Sequence, residues 1–500
     1  MLSSALGRAG AVTTALALTL AGAVAVTTAP AHAVTVPSFH PAVSDYAQVN
    51  ASETPPTQAQ CFSAGRRCFT PQSTRAAYDV NPLYAQGFDG RGMTIAIVDA
   101  YGSDTIAHDL HVYDTAFGLP SMCGEEGVAC SAGMPTFRQL HLQGAPATKS
   151  QPGNGTHQED KSAWAIEVSL DVEVAHAMAP GANILLVTTP TAETLGVQGF
   201  PTMMNAEQYV VDHHLADVIS QSFGSAEDAF GSANSLQNLR HAYVSAARSG
   251  ITVLASTGDN GTANTRKSPV GGPNSGPVIP YPTVQWPASD PLVTGVGGTY
   301  LCTDPNNITA RVVDSVDPPA KCQANPGVAE VGWTFSGGGY SHVFARPSYQ
   351  ATLPAGSTSI PPSARGVPDI ALQASAGTGA LVYLSLPPDG QSGLLCGSTP
   401  CSTGWYDIGG TSLSCPQWAA LVAIADQMNG GGLGLINPAL YAVAANPAQY
   451  AASYYDVTVG NNQTAANVPG YPATPGWDPI TGLGTPNAAN LLPDLVTASH

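Results

Sequence analysis

SAWAIEVSLDVEVAHAMAPGANILLVTT, residues 162–189, joins a helical run to a short, almost wholly apolar strand. The helix covers 162–179 and the strand, NILLVTT, covers 183–189. The same alternation continues on both sides. Upstream, MTIAIVDA (93–100) is a buried-strand pattern followed by a helical stretch at Thr105–Gly118. Downstream, NAEQYVVDHHL (205–215) is a helix, DVISQS (217–222) a strand, ANSLQNLRHAYVSAARSG (233–250) a helix and ITVLAS (251–256) a strand. Short β-branched strands alternating with helices predict an α/β domain whose mainly parallel central sheet is covered by helices on both faces. Ligands in such sheets gather at the carboxyl ends of the strands. The proline-rich stretch from Asn260 to Ser289 reads as a long loop, a length that is usually functional or disordered.

Composition narrows the function. Of 500 residues only 10% are charged, against roughly 25% in an ordinary soluble domain. Asp and Glu number 34 and Lys and Arg 16, so a surface that tracks phosphates has little to build on and nucleic acid is a poor partner. Past the first 33 positions no apolar run is long enough to span a bilayer. Those first positions combine Arg8, the stretch ALALTLAGAVAV and Ala31-His32-Ala33, which is the pattern of a secretory signal. From Val34 to about Gln60 a Pro-, Thr- and Ser-rich segment without periodicity reads as an extended arm.

Cysteine usage agrees with export. Cys61/Cys68, Cys123/Cys130, Cys302/Cys322 and Cys396/Cys401 suggest four short-loop disulfides, and no pair has zinc-knuckle spacing. Cys415 stands alone in an apolar helical run and reads as a buried, inert thiol.

The strongest chemical signal is GGTSLSCP at 409–416, leading into QWAALVAIADQM. Two glycines allow a sharp turn, Ser412 emerges at the start of a helix, and Pro416 is expected in its first turn. That places a hydroxyl beside free backbone N–H groups, which suits a nucleophile whose attack creates an oxyanion; alone, Gly-Gly-Thr-Ser is equally a plain helix cap. None of the 12 histidines sits in a convincing base motif. His157 comes nearest, but polar QEDK follows it. In the 162–179 helix, Glu167 and Asp171 are one turn apart on a stripe with Ala163, Val174 and Met178, so both carboxylates are expected to enter the core. Buried acid pairs raise each other's pKa and are frequently functional; the alternative is a solvated pair on a wet face. Gly258-Asp259-Asn260-Gly261 follows a predicted strand directly, either as a turn or as an acid beside the site that could donate to an oxyanion when protonated.

Taken in order, these pieces resemble the sedolisin family of serine-carboxyl peptidases, which have a subtilisin-like fold and a glutamate in place of the histidine base. The likeness runs from about Tyr78 to Pro493 and includes SQSFG (220–224), VGGT (296–299), SGGGYS (336–341) and GVPDIA (366–371). It implies catalytic Ser412, Glu167 and Asp171, with Asp259 at the oxyanion. It also implies one structural Ca2+ held by Asp456, Asp478 and the carbonyls of Val457, Thr474 and Gly476. Without the resemblance, Asp456 and Asp478 read as ordinary loop residues. Family members usually carry a large prodomain, for which the stretch between Ala33 and Tyr78 is too short, and Phe223 stands where some relatives have a larger aromatic residue.

The expected organisation is a signal at 1–33, an N-terminal arm at 34–77 and a peptidase domain at 78–500. The expected protein is a secreted, monomeric, acid-active endopeptidase acting on proteins or peptides, with no nucleic acid and no membrane once the signal is removed. Two alternatives stand beside it: a neutral subtilisin-type enzyme using Asp99, His157 and Ser412, and a secreted binding protein without activity.

Overall fold

A computed structural model describes residues 45–142, 158–190, 199–266, 277–307, 317–387 and 392–500. The signal at 1–33, residues 34–44 of the arm, and His157 lie outside the described residues. Eight strands form the central sheet in the order Glu330–Gly332, Thr294–Leu301, Thr252–Ser256, Val218–Gln221, Thr94–Ala100, Asn183–Thr189 and Phe137–His141, with Ile370–Gln373 also paired to Thr294–Leu301. Every pairing is parallel except that of Glu330–Gly332 with Thr294–Leu301. The four strands expected at 93–100, 183–189, 217–222 and 251–256 are all present within a residue or so of those bounds.

Strand alternation divides the core into two layers. Ile95 and Ile97, Ile184 and Leu186 face one side, where Val168, Val172 and Ala175 of the Gln158–Met178 helix and Trp418 and Val422 of the Thr411–Asn429 helix cover them. Ala96 and Val98, Leu185 and Val187 face the other, against Met203, Met204 and Val210 of the Phe200–Asp212 helix and Tyr243 of the His241–Ser249 helix.

Two expectations change, and one alternative falls away. The single helix at 233–250 is two, Ala233–Gln237 and His241–Ser249, and a Ser232–Ser235 capping box starts the first. The 162–179 helix has no wet face: residues 162–180 are all buried, because this helix lies between the sheet, the Thr411–Asn429 helix and the Ala380–Leu384 strand. The described part of the N-terminal arm is built into the domain. Tyr46–Asn50 pairs antiparallel with Gly404–Ile408, which in turn pairs with Ala380–Leu384. Its side chains are half-buried edge positions, which carry no alternating apolar pattern to announce a strand.

All four disulfides form as spaced, Cys61–Cys68, Cys123–Cys130, Cys302–Cys322 and Cys396–Cys401. Cys415 is free and buried. Among the described residues no helix is long and apolar enough to cross a membrane.

Candidate active site

The Gly404–Ile408 strand delivers the chain to Gly409 and Gly410, and the helix begins at Thr411. Gly410 has φ of 107°, a conformation that a side chain would strain. Ser412 is thus the second helical residue, fully buried, and its hydroxyl takes no hydrogen bond from the described residues. Pro416, expected in the first turn, stands in the second. Lacking an N–H, it removes the helical bond that would end on the Ser412 carbonyl.

Thr411 fixes the neighbouring acid. Its N–H and its hydroxyl both donate to Asp259 Oδ1, at 2.8 and 2.9 Å, and its Oγ1 accepts from the Gly258 N–H at 3.0 Å. Asp259, just past the carboxyl end of the Thr252–Ser256 strand, is therefore locked to the residue that precedes the serine. The glycine run after Ser336 backs this strand end: the Gly337 N–H donates to the Gly258 carbonyl at 2.8 Å, and a methyl group on Gly337 would overlap the Thr257 carbonyl. Gly338 presses equally closely on the Pro479 carbonyl.

Glu167 and Asp171 come from the other side. Both are fully buried on the Gln158–Met178 helix, which packs along the Thr411–Asn429 helix, and both carboxyls are sensed by Cys415, one turn beyond Ser412. Burial, Asp99 and then Glu167 push the Asp171 carboxyl well above the usual range, while the Ser222 hydroxyl partly offsets this. Asp99 is itself buried and raised by desolvation to about 8. Its presence follows from strand parity: Asp99 shares the face of Ile95 and Ile97, the face on which the 158–178 helix lies, just as Ser220 and Ser222 share the face of Val218. Considered from sequence only as a partner for His157, Asp99 instead adds a third acid beside Asp171. Cys415 is buried as expected, and burial lifts its thiol to about 12.

Of the residues read as calcium ligands, Asp456 bonds Gly476 and Asp478 bonds Thr474, while no group of three or more His, Cys, Asp or Glu side chains that could hold a metal ion is found among the described residues. Both oxygens of Asp456 accept from the Gly476 N–H, at 3.1 and 3.0 Å. Asp478 Oδ1 accepts from Ile480 and Thr481 N–H at 2.7 and 3.0 Å, and its Oδ2 from Thr474 N–H at 3.2 Å. Desolvation raises Asp478 to about 7 and Asp456 above its ordinary value, and Tyr450 senses both carboxylates. No described lysine or arginine forms an ion pair with either.

With this geometry in place, comparison with known proteins is informative. The Subtilase family pattern matches residues 153–448, more than half of the chain. The chain belongs to the subtilases. Within them it groups with the sedolisins. It is 31% identical to kumamolisin of Bacillus sp. (strain MN-32) over 444 residues, 88% of this chain and 66% of that protein. It is 31% identical to tripeptidyl-peptidase 1 of Rattus norvegicus over 354 residues, covering 66% of this chain and 52% of that one. The chain therefore spans between half and two thirds of the length of these relatives. Among solved structures, Pseudomonas sedolisin, a serine-carboxyl proteinase complexed with two molecules of pseudo-iodotyrostatin, aligns over 87% of this sedolisin and all of its own chain, with TM-score 0.63 and 25% identity.

Proposed function

We propose that this sedolisin is a secreted, acid-active endopeptidase. Ser412 attacks the scissile carbonyl, Glu167 takes the serine proton and returns it to the leaving amine, and Asp171 holds Glu167 through a shared proton. The observation that carries this reading is the environment of Asp171: buried, beside two further carboxyls, with no lysine, arginine or histidine among the described residues that act on it. Carboxyls so close cannot all ionise, so a proton resides among them well above the ordinary carboxylate range. Thr411 holds Asp259 by Oδ1, and a proton on this carboxyl would let it donate to a developing oxyanion. At higher pH the acids ionise, the shared proton is lost, and the oxyanion would meet a negative charge. The secretory signal and the four disulfides support export to an oxidising compartment.

Asp456, half-buried, and Asp478, buried, suit one Ca2+ ion, since hard carboxylate oxygens without a basic partner among the described residues favour a divalent cation, with the carbonyls of Val457, Thr474 and Gly476 as further oxygens. When bound, the ion would brace the loops at 456–457 and 474–478 and supply no chemistry to the reaction.

The test is a pH–rate profile on acid-denatured protein and on peptides. Hydrolysis confined to acid pH and absent in Ser412→Ala is expected. A rate rising from pH 6 to 8 favours the subtilisin-type use of Asp99 and His157, and no hydrolysis at any pH favours the binding protein.

A further inference from the structure

The turn that presents Ser412 is gripped on both flanks by residues outside the catalytic set. On one flank, the Asp45 carbonyl accepts from the Gly409 N–H at 3.1 Å, extending the pairing of Tyr46–Asn50 with Gly404–Ile408 up to the turn itself. On the other, the Gly410 N–H donates to the Ala374 carbonyl at 2.5 Å. Gly409 lies so close to this second flank that a methyl group would overlap the Ala374 carbonyl and the Ala376 N–H. Gly409 and Gly410 thread a slot with Asp45 on one wall and 374–376 on the other.

Arg66 spans the slot. One terminal nitrogen bonds Asp45 Oδ1 at 3.0 Å and the other donates to the Ala376 carbonyl at 2.7 Å. The Arg66 side chain is only 17% exposed and Asp45 is 42% exposed, so the bond to the buried Ala376 carbonyl is the better shielded of the two. A planar guanidinium can hold both partners in one fixed geometry, which an ammonium cannot. The arginine is itself anchored: the next residue's N–H bonds the Gly377 carbonyl, the Phe69 N–H bonds Gly379, and the Cys61–Cys68 disulfide brackets the segment. Its charge also faces the buried Asp407, two residues before Gly409. Directly after the slot come Thr411, which orients Asp259, and Ser412.

We propose that Arg66 is a positioning residue for the nucleophile turn: by clasping Asp45 to Ala376 it sets the width of the slot and so the aim of the Ser412 hydroxyl and of the Thr411–Asp259 pair. This rests on Ser412 being the nucleophile. The N-terminal strand is then a working part of the site and not a remnant arm.

The experiment uses the full chain as wild type, Arg66→Ala, Arg66→Lys and Asp45→Ala, with Ser412→Ala as the inactive reference, and reads kcat and KM on a fluorogenic peptide together with near-UV circular dichroism. A misplacement of about 1 Å in reacting groups costs up to about 100-fold. Arg66→Ala should therefore lose about 10- to 100-fold in kcat with KM within about threefold and an unchanged spectrum. Arg66→Lys, reaching one partner at a time, should recover part of that loss. Asp45→Ala opens one end of the clasp only and should lose several-fold in kcat; if Arg66→Ala does not fold, this variant decides. Wild-type kcat in whichever variant decides, or a fall in kcat matched by an equal loss of native spectrum, overturns the proposal. If the wild type is as inactive as Ser412→Ala, the peptidase reading falls first and the clasp falls with it.

Discussion

Asp426 sits near the end of the Thr411–Asn429 helix, fully buried, with Oδ1 accepting from the Leu433 N–H at 2.8 Å and Oδ2 buried without a partner among the described residues. Burial, reinforced by Asp217, lifts it to about 8. In an unfolded chain its pKa is about 3.9. Because the folded value is the higher one, the native state holds a proton that the unfolded state releases once pH exceeds about 3.9. Stability is therefore unaffected below that pH and declines as pH rises towards the folded value. Between pH 3.9 and 7 the loss approaches about 4 kcal/mol for this one group, an upper bound because relaxation and water entry lower the folded pKa. Asn at this position keeps the acceptor for Leu433 and needs no proton. Asp426→Asn, built on Ser412→Ala to prevent self-digestion, should be close to neutral at pH 4 and stabilising by up to about 4 kcal/mol at pH 7. Guanidinium unfolding at the two pH values measures this directly. An equal effect of the substitution at both pH values, or destabilisation at pH 7, would refute the linkage argument.

Glu207 repeats the case more severely: it is fully buried on the Phe200–Asp212 helix, and desolvation alone raises its carboxyl well above the ordinary range. Glu207→Gln should raise the melting midpoint at pH 7 and leave it almost unmoved at pH 4; the reverse pattern would place an unseen cation beside it. For catalysis, Glu167→Gln and Asp171→Asn should each remove nearly all hydrolysis while the fold persists, since groups acting as one unit fail together, and near-normal turnover by either folded variant would sink the assignment. Asp259→Asn supplies a donor that requires no protonation, so the alkaline limb of the rate profile should move upward or flatten even if the maximum falls. Chelation should lower the melting midpoint of the wild type and have less effect on Asp478→Asn, read by calorimetry after metal analysis. Asp478→Asn should itself cost stability without any metal, because an amide NH2 replaces Oδ2, the acceptor of the Thr474 N–H.

What could be read in advance followed the strength of local signals. The parallel strands were legible because each is a short apolar run closed by a turn, and the four disulfides because each closes a short loop. Ser412, Glu167, Asp171 and Asp259 stand out because sharp glycine turns and paired acids in an apolar helix are unusual in themselves. Other features depend on distant partners. Helix 233–250 keeps its propensity through Asn238–Arg240, and only capping and packing divide it. Tyr46–Asn50 has no apolar alternation because it is an edge. Asp99 ended a strand visibly, but its meeting with Asp171 needed the knowledge of which sheet face carries which helix. The role of Thr411 was hidden in the same way, since an N-terminal threonine on a helix ordinarily looks towards its own backbone.

The bare backbone at Gly337 and Gly338 gives the molecule an uncushioned seam. Where side chains separate two segments of the core, a shifted neighbour can be absorbed by one of them changing rotamer. Here the Thr257 carbonyl, two residues before Asp259, and the Pro479 carbonyl, one residue after Asp478, press on consecutive α-carbons with no side chain between. A displacement of the 474–482 loops has only peptide planes through which to dissipate, and those planes are hydrogen-bonded to Gly258. Loosening at the C-terminal acids should thus reach Asp259 as a rigid push, a fraction of an ångström in size, and the wear of one loop would be felt as misalignment in the other before either unfolds.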